Sequence, residues 1–255
     1  MTRIKAFLIH LGISSAIFLV LLGMIVFVWF PVPYFTADGG WQGIRIIAGV
    51  DFVLGPLLTL IVFKPGKKTL RFDLSVIALI QTAALAFGIA TVYQQRTVLI
   101  AYANHAFYSV GSERAELDPA IAQYVAQSAT VPAHTYVRLP ADAKERGQFT
   151  IANLKAGMPL YALSERYEPI GPDNLADIAS HSLDIEAMAQ GDEHKTGEVA
   201  AFRARHQGTL ADHAFLPVAC RYANVVLAMR RSDGAIVDSL DIDTTRLVSI
   251  PFMKP

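Results

Sequence analysis

The apolar positions of this chain follow two regimes. Through residue 93 they form long runs; beyond it they come in short clusters or alternate with polar residues. The first run, residues 6–30, reads AFLIHLGISSAIFLVLLGMIVFVWF and holds no formal charge at neutral pH. As a helix it would be about 37 Å long, enough to cross a hydrocarbon core of about 30 Å with some tilt. Arg3 and Lys5 ahead of it suit a signal peptide. The apolar stretch is too long for one, however, and Phe35-Thr36-Ala37 lacks the small-residue cleavage pattern, so the run predicts an uncleaved anchor. A second run, 44–63, is broken by Asp51 and Pro56. A third, 74–93, has Gln81 as its one strongly polar member. Each is about as long as a spanning helix needs to be.

Beyond residue 93 the pattern predicts a folded α+β domain over 94–255, a normal size for one core. Residues 97–103 and 106–110 read as strands of a hairpin around Asn104-His105. Asp118 caps a helix with Pro119 in its first turn and Ile121, Tyr124 and Val125 on one face. Residues 173–190 predict one helix stopped by Gly191, and 198–206 a short one. Two apolar runs, 215–231 and 235–242, flank Ser232-Asp233-Gly234, a hairpin signal. Strands and helices mix without regular βαβ alternation, which argues for α+β over a doubly wound sheet.

Charge sharpens the division. Apolar residues make up 53% of the chain and charged residues only 17%, against about 25% in a typical soluble domain. The 22 basic and 22 acidic side chains cancel, so bulk charge points to no nucleic-acid partner. Through Tyr93, seven basic and three acidic residues give +4; the remainder carries −4. The basic residues flank the spans. Arg3 and Lys5 precede the first, and Lys64, Lys67, Lys68 and Arg71 crowd the second connection, whereas residues 31–43 contain no Lys or Arg. The positive-inside rule then places the N-terminus and the 64–71 loop in the cytoplasm and the 94–255 domain outside. Trp29, Tyr34, Phe35, Trp41 and Tyr93 fall at the outer interface in this frame, the depth that amphipathic rings favour.

Catalytic and cofactor motifs fail. Gly66-Lys67-Lys68-Thr69 lacks the leading glycine of a phosphate loop, since Ile61 stands there, and the glycine-rich 39–43 stretch lies between spans. There is no H-E-x-x-H, C-x-x-C or G-x-S-x-G. His206 and His213 are seven apart, but Gly208 is expected to end their helix. Asp238, Asp241 and Asp243 lack calcium-loop spacing and are expected as solvated strand and turn residues. No catalytic, metal or cofactor residue is therefore assigned. Cys220, the one cysteine, lies in an apolar run and is expected to be buried and inert.

The membrane interior is more informative. An acid inside a span costs a few kcal/mol and normally faces protein or water, so Asp51 is either a functional group or a cross-helix hydrogen-bond partner. Arg45 approaches Asp51 only obliquely and is expected to snorkel to the outer headgroups. Pro56, with Gly49 and Gly55, predicts a kinked, closely packed second span. His10 and Gln81 lie at similar depth and are expected to bond each other. One acid among three spans is thin equipment for transport, so these groups are read as structural cross-links.

The stretch 37–45 (ADGGWQGIR), followed by Gly49-Val50-Asp51, Leu54-Gly55-Pro56-Leu57-Leu58-Thr59-Leu60, Phe63-Lys64-Pro65-Gly66-Lys67, Phe72-Asp73-Leu74 and Gln81, resembles the signature region of the bacterial type IV pilin accessory proteins, the TfpX/TfpZ family. The resemblance covers about the first 100 residues. It implies an inner-membrane accessory protein of type IV pilus biogenesis with no enzyme activity, a chaperone or assembly factor whose partners are the major pilin, the assembly platform and the lipid bilayer. Gly49, Asp51, Gly55 and Pro56 would then be candidates for pilin contact or helix packing. The alternative is a membrane-anchored periplasmic sensory or envelope-interaction module.

Overall fold

The structure, a computed structural model, describes residues 2–206 and 209–248. The chain divides into two compact units, Met1–Arg96 and Thr97–Pro255.

The first unit contains three helices long and apolar enough to cross a membrane: Arg3–Trp29, Gly40–Val62 and Leu70–Gln95. Each begins a few residues earlier than its apolar run. The reason is clearest at the third, where Lys67 ion-pairs with Asp73 at 2.7 Å and the Thr69 hydroxyl donates to the same carboxylate, so charged residues are built into the first turn. The kink expected at Pro56 takes a definite form. The π-helical turn Gly49–Leu54 precedes it, and the Gly55 N–H donates to the Val50 carbonyl, five residues back. Proline has no N–H and crowds the carbonyl four residues before it; the wider turn accommodates both.

Near the expected outer end, Trp29 packs edge-on against Tyr93, with ring centroids 5.2 Å apart, and both Ile25 and Phe30 are buried beside Ile44, Ile47 and Val92. Close approach of the second and third helices falls at Gly43, where a Cβ would sit 2.7 Å from Val92, and opposite Gly88, which faces Ile47.

The second unit is an α+β domain with one seven-stranded mixed sheet. Its strands are β1 (Thr97–Ala103), β2 (Ala106–Gly111), β3 (Ala133–Val137), β4 (Tyr167–Glu168), β5 (His213–Ala219), β6 (Val225–Arg230) and β7 (Ile236–Leu240), in the order β4-β3-β1-β2-β5-β6-β7. The β1–β2 hairpin is central. Asn104 and His105 both take positive φ, 48° and 73°, as a tight two-residue hairpin turn requires. β3 lies parallel to β1 and β5 parallel to β2, while the remaining pairs are antiparallel. Every residue of β1 is buried, which explains its unbroken apolar sequence: both faces are covered.

The register separates the two faces. Leu99, Ala101, Val110, Ala133 and Val137 share one face with Phe215, Val226, Ala228 and Leu240. Helix Pro119–Gln127 with Ile121, and Tyr161 with Leu163, cover one half of it. Ile185, Val199 and Phe202 cover the other half. The opposite face carries Ile100, Tyr102, Phe107, His134, Tyr136, Leu216 and Leu227, and helix Pro172–Ser180 packs against β5.

Several sequence expectations need correction. The single helix over 173–190 is two helices, Pro172–Ser180 and Ile185–Ala189. The break exists because the chain bonds to β5: the Leu183 N–H donates to the Phe215 carbonyl at 2.7 Å and the Phe215 N–H to the Ser182 hydroxyl at 2.9 Å, after which Asp184 caps the second helix. The 215–231 run folds as two strands, β5 and β6. Asn224 closes the turn between them, accepting from the Cys220 N–H and donating to the Val248 carbonyl. Cys220 is buried. Asp238 is not a solvated strand residue: Arg205 donates to it at 2.9 Å and His206 at 2.8 Å. The helix carrying Arg205 runs from Glu193, not from 198, and Gly208, its expected stop, lies outside the described residues.

His134 on β3 gives a pH prediction. Its Nε2 is buried without a hydrogen-bond partner, and burial holds the imidazole down to about 4 from its ordinary 6.5. Unfolding frees the group to bind a proton. Its contribution to stability is therefore complete above pH 6.5 and is lost as pH falls towards 4. Between pH 7 and 4.5 the loss from this group is expected to be about 2 kcal/mol. Urea midpoints of wild type and His134→Leu at the two pH values check it. An equal pH slope in both would show that the histidine is solvated in the folded state.

Candidate functional site: a polar network joining three membrane helices

Within the first unit, polar side chains from all three long helices meet. His10, on the first helix, contacts Thr59 Oγ1 through Nδ1 at 2.6 Å and Gln81 Oε1 through Nε2 at 2.9 Å. The Gln81 amide nitrogen donates to Asp51 Oδ1 at 3.2 Å and is 3.5 Å from Ser14 Oγ. The network fixes the orientation of the Gln81 amide. Because the amide nitrogen of Gln81 serves Asp51 and Ser14, its oxygen accepts from His10 Nε2–H.

Local helical spacing sets this geometry. His10 and Ser14 are one turn apart, and Asp51, Gly55 and Thr59 recur every four residues, so each set occupies one helix face. Ser14, Asp51 and Thr59 are at most 5% exposed. Gly55 is what lets Gln81 in: a Cβ there would lie 2.3 Å from both Gln81 Nε2 and Oε1. In hydrocarbon such interhelical bonds contribute about 0.6 kcal/mol each on average, so the set holds the bundle with a few kcal/mol while fixing its rotational register. One acceptor stays open. Asp51 Oδ2 is buried with no hydrogen-bond partner.

The sequence-assigned residues fall into separate groups. His10, Asp51 and Gln81 come together with Gly55 and Pro56, both buried. Gly49 does not belong with them: it is exposed, with nothing within 4 Å of where its Cβ would be, so close packing within this chain does not involve it. Arg45 is exposed and lies over the Trp41 ring, 5.1 Å from its centroid, one turn towards the expected outer end and away from Asp51. Arg3, Lys5, Lys64, Lys67, Lys68 and Arg71 are all exposed. Sequence reasoning missed Ser14 and Thr59. Their four-residue spacing from His10 and Gly55 was the available signal, weakened because single hydroxyls pass unnoticed in apolar runs. Among the described residues no group of three or more His, Cys, Asp or Glu side chains is arranged to hold a metal.

Three apolar helices cross-linked by a hydrogen-bond network and followed by an α+β domain are the architecture of a membrane-anchored protein. Comparison with known proteins supplies the family. The family model described as fimbrial assembly protein FimB matches residues 1–39. Three curated proteins of Dichelobacter nodosus are similar over 96 residues, 37% of this chain. The fimbrial assembly protein of serogroups C1 and C2 is 36% identical over 73% of its own length. Those of serogroup E1 (38% identical) and serogroup I (36% identical) are matched over 37% of theirs. The chain belongs to this fimbrial assembly family of type IV pilus accessory proteins. It matches little more than a third of the length of the E1 and I relatives. No solved structure matches.

Proposed function

We propose that the chain is an inner-membrane accessory factor that binds the major type IV pilin before or during pilus assembly, without catalysing a reaction. The N-terminus faces the cytoplasm and the 97–255 unit the periplasm, a reading supported by the basic residues flanking the spans. The observation that carries this reading is where the family match falls: residues 1–39 comprise the first long helix and the turn after it. The assembly role therefore belongs with the membrane unit, and its surfaces are the candidates for contact.

Those surfaces favour one face of the second helix. Asp51, Gly55 and Pro56 are buried inside the bundle, whereas Gly49 stands exposed among Ile46, Val53 and Leu57, which are 46–56% exposed. A glycine flanked by larger apolar side chains offers a shallow notch into which a neighbouring helix packs closely. A pilin held in the membrane by an apolar helix would fit it.

In a strain lacking the gene, piliation is expected to fall at least tenfold with pilin transcription unchanged; normal pili would remove the proposal. Photocrosslinking locates the contact. Crosslinkers at Ile46, Val53 and Leu57 are expected to capture pilin, and one at Thr59, which faces the network, to capture none. Capture only from the 97–255 unit would shift the contact out of the membrane.

A further inference from the structure

A second constellation lies in the 97–255 unit, at the end of the sheet where β1 and β3 finish. His105 occupies the second turn position of the β1–β2 hairpin at φ 73°, where glycine would sit without strain. The imidazole kept there stacks on that of His181, with centroids 3.8 Å apart and planes 14° from parallel. His181 follows helix Pro172–Ser180. Its Nδ1 is 2.9 Å from the Asp177 carbonyl and 3.2 Å from the Tyr102 hydroxyl. The Tyr136 hydroxyl donates to Asp177 Oδ2 at 2.9 Å, and its ring stacks on Tyr102. Beside them is a cleft of about 210 Å³, lined by Tyr102, His105, Tyr136, Arg138, Arg146 and Asp177 among others.

The charges of this cleft are unevenly satisfied. Arg138 is neutralised by Glu168, to which two of its guanidinium nitrogens donate. Arg146 spends its bonds on neutral groups, the carbonyls of Pro140 and Ala141, both at 3.0 Å. Among the described residues no carboxylate lies within ion-pair distance of Arg146, and no cation lies within that distance of Asp177. One cleft thus holds an unmatched cation and an unmatched anion that do not pair with each other. A simple anion entering it would face Asp177, and a simple cation would face Arg146. A ligand bearing both charges satisfies the two at once.

We infer that this cleft binds a small zwitterion of the α-amino-acid class, its carboxylate held by Arg146 and His105 and its ammonium group by Asp177. The volume is below the usual range for drug-sized ligands, which limits the occupant to a few heavy atoms. The electrostatics at His105 agree with this polarity. Burial, and after it His181 and Arg146, lower its pKa, so at pH 7 the ring is neutral and offers an N–H to a carboxylate. His105 supplies the stacked imidazole on the carboxylate side.

Isothermal titration of the full chain in detergent micelles at pH 7 tests this, with each of the twenty amino acids, acetate and methylammonium as probes. At least one amino acid is expected to bind saturably, at least about tenfold tighter than acetate or methylammonium. Arg146→Met and Asp177→Asn should each weaken it by about tenfold or more, whereas Tyr222→Ala, at an exposed side chain outside the cleft, should change affinity by less than about threefold. Circular dichroism establishes that each variant is folded. If Arg146→Met unfolds, Asp177→Asn alone decides. Absence of saturable binding by every amino acid at 10 mM-scale concentrations (about 10 mM, a ceiling near −3 kcal/mol) overturns the inference. Equal binding of acetate, indifferent to Asp177→Asn, also overturns it by making the cleft a plain anion site.

Discussion

Gly55→Val is expected to destabilise the three-helix unit by about 2–4 kcal/mol, because the new side chain takes the space that the Gln81 amide occupies. Rotating that amide away breaks its bonds to His10 and Asp51 and leaves both carboxylate oxygens of Asp51 without a donor. Denaturant unfolding in micelles and the steady-state protein level measure the loss. Two companions isolate the cause. Gly49→Val, at a position with open space around it, should stay within about 0.5–1 kcal/mol of wild type. Adding Gln81→Ala to Gly55→Val should recover part of the loss, since the clash disappears with the amide. Equal effects at Gly49 and Gly55 would mean that backbone propensity and not the network sets the cost. The pair also separates stability from function: Gly49→Val is expected to reduce pilin capture at normal protein level.

The second large effect is expected in the 97–255 unit. Phe107 is fully buried on β2, one of the two central strands, and meets the Tyr102 ring edge-on with centroids 5.2 Å apart. Phe107→Ala removes that contact and opens a cavity in the core, at an expected cost of about 3–5 kcal/mol. Against a typical domain stability of about 5–15 kcal/mol this brings the unit close to unfolding at 37 °C. A urea midpoint, or the onset of proteolysis within 97–255, reads it out. Tyr222→Ala, at a side chain 43% exposed, should shift the midpoint by no more than about 0.5 kcal/mol. A comparable shift from both would contradict the assignment of the core.

What the sequence made legible follows the strength of its periodic signals. The three spans were readable because nothing else accounts for runs of about 20 apolar residues, and the helices run past them because Leu70, Arg71 and Asp73 belong to the helix but not to the apolar run. The central hairpin was readable from its turn pair. Helix Ala143–Lys155 left no such trace: it has no buried residue, so no apolar stripe marks it, and only Asp142, accepting from the Lys144 and Glu145 N–H groups, announces its start. The break at 181–184 was invisible for a different reason. It is imposed by hydrogen bonds to β5, some 30 residues distant in sequence, which no local pattern contains. The same limit applied to the site. The His10–Gln81 pairing was legible from depth alone, whereas the place of Gly55 beneath Gln81, and the exposure of Gly49, depend on how the second helix is rotated.

The π-helical turn at Gly49–Leu54 has a consequence for sequence comparison. A π turn holds one residue more than the α-helix that would join the same ends. Removal of a single residue between 49 and 54 would therefore restore α-helical winding, with Thr59 and His10 still opposed and the exposed notch at Gly49 moved or erased. Membrane helices seldom accept a one-residue gap, since it swings every later side chain by about 100° around the axis. This turn is a place where such a gap is absorbed. Family members one residue shorter here are expected to keep the polar network and to present a different outer face.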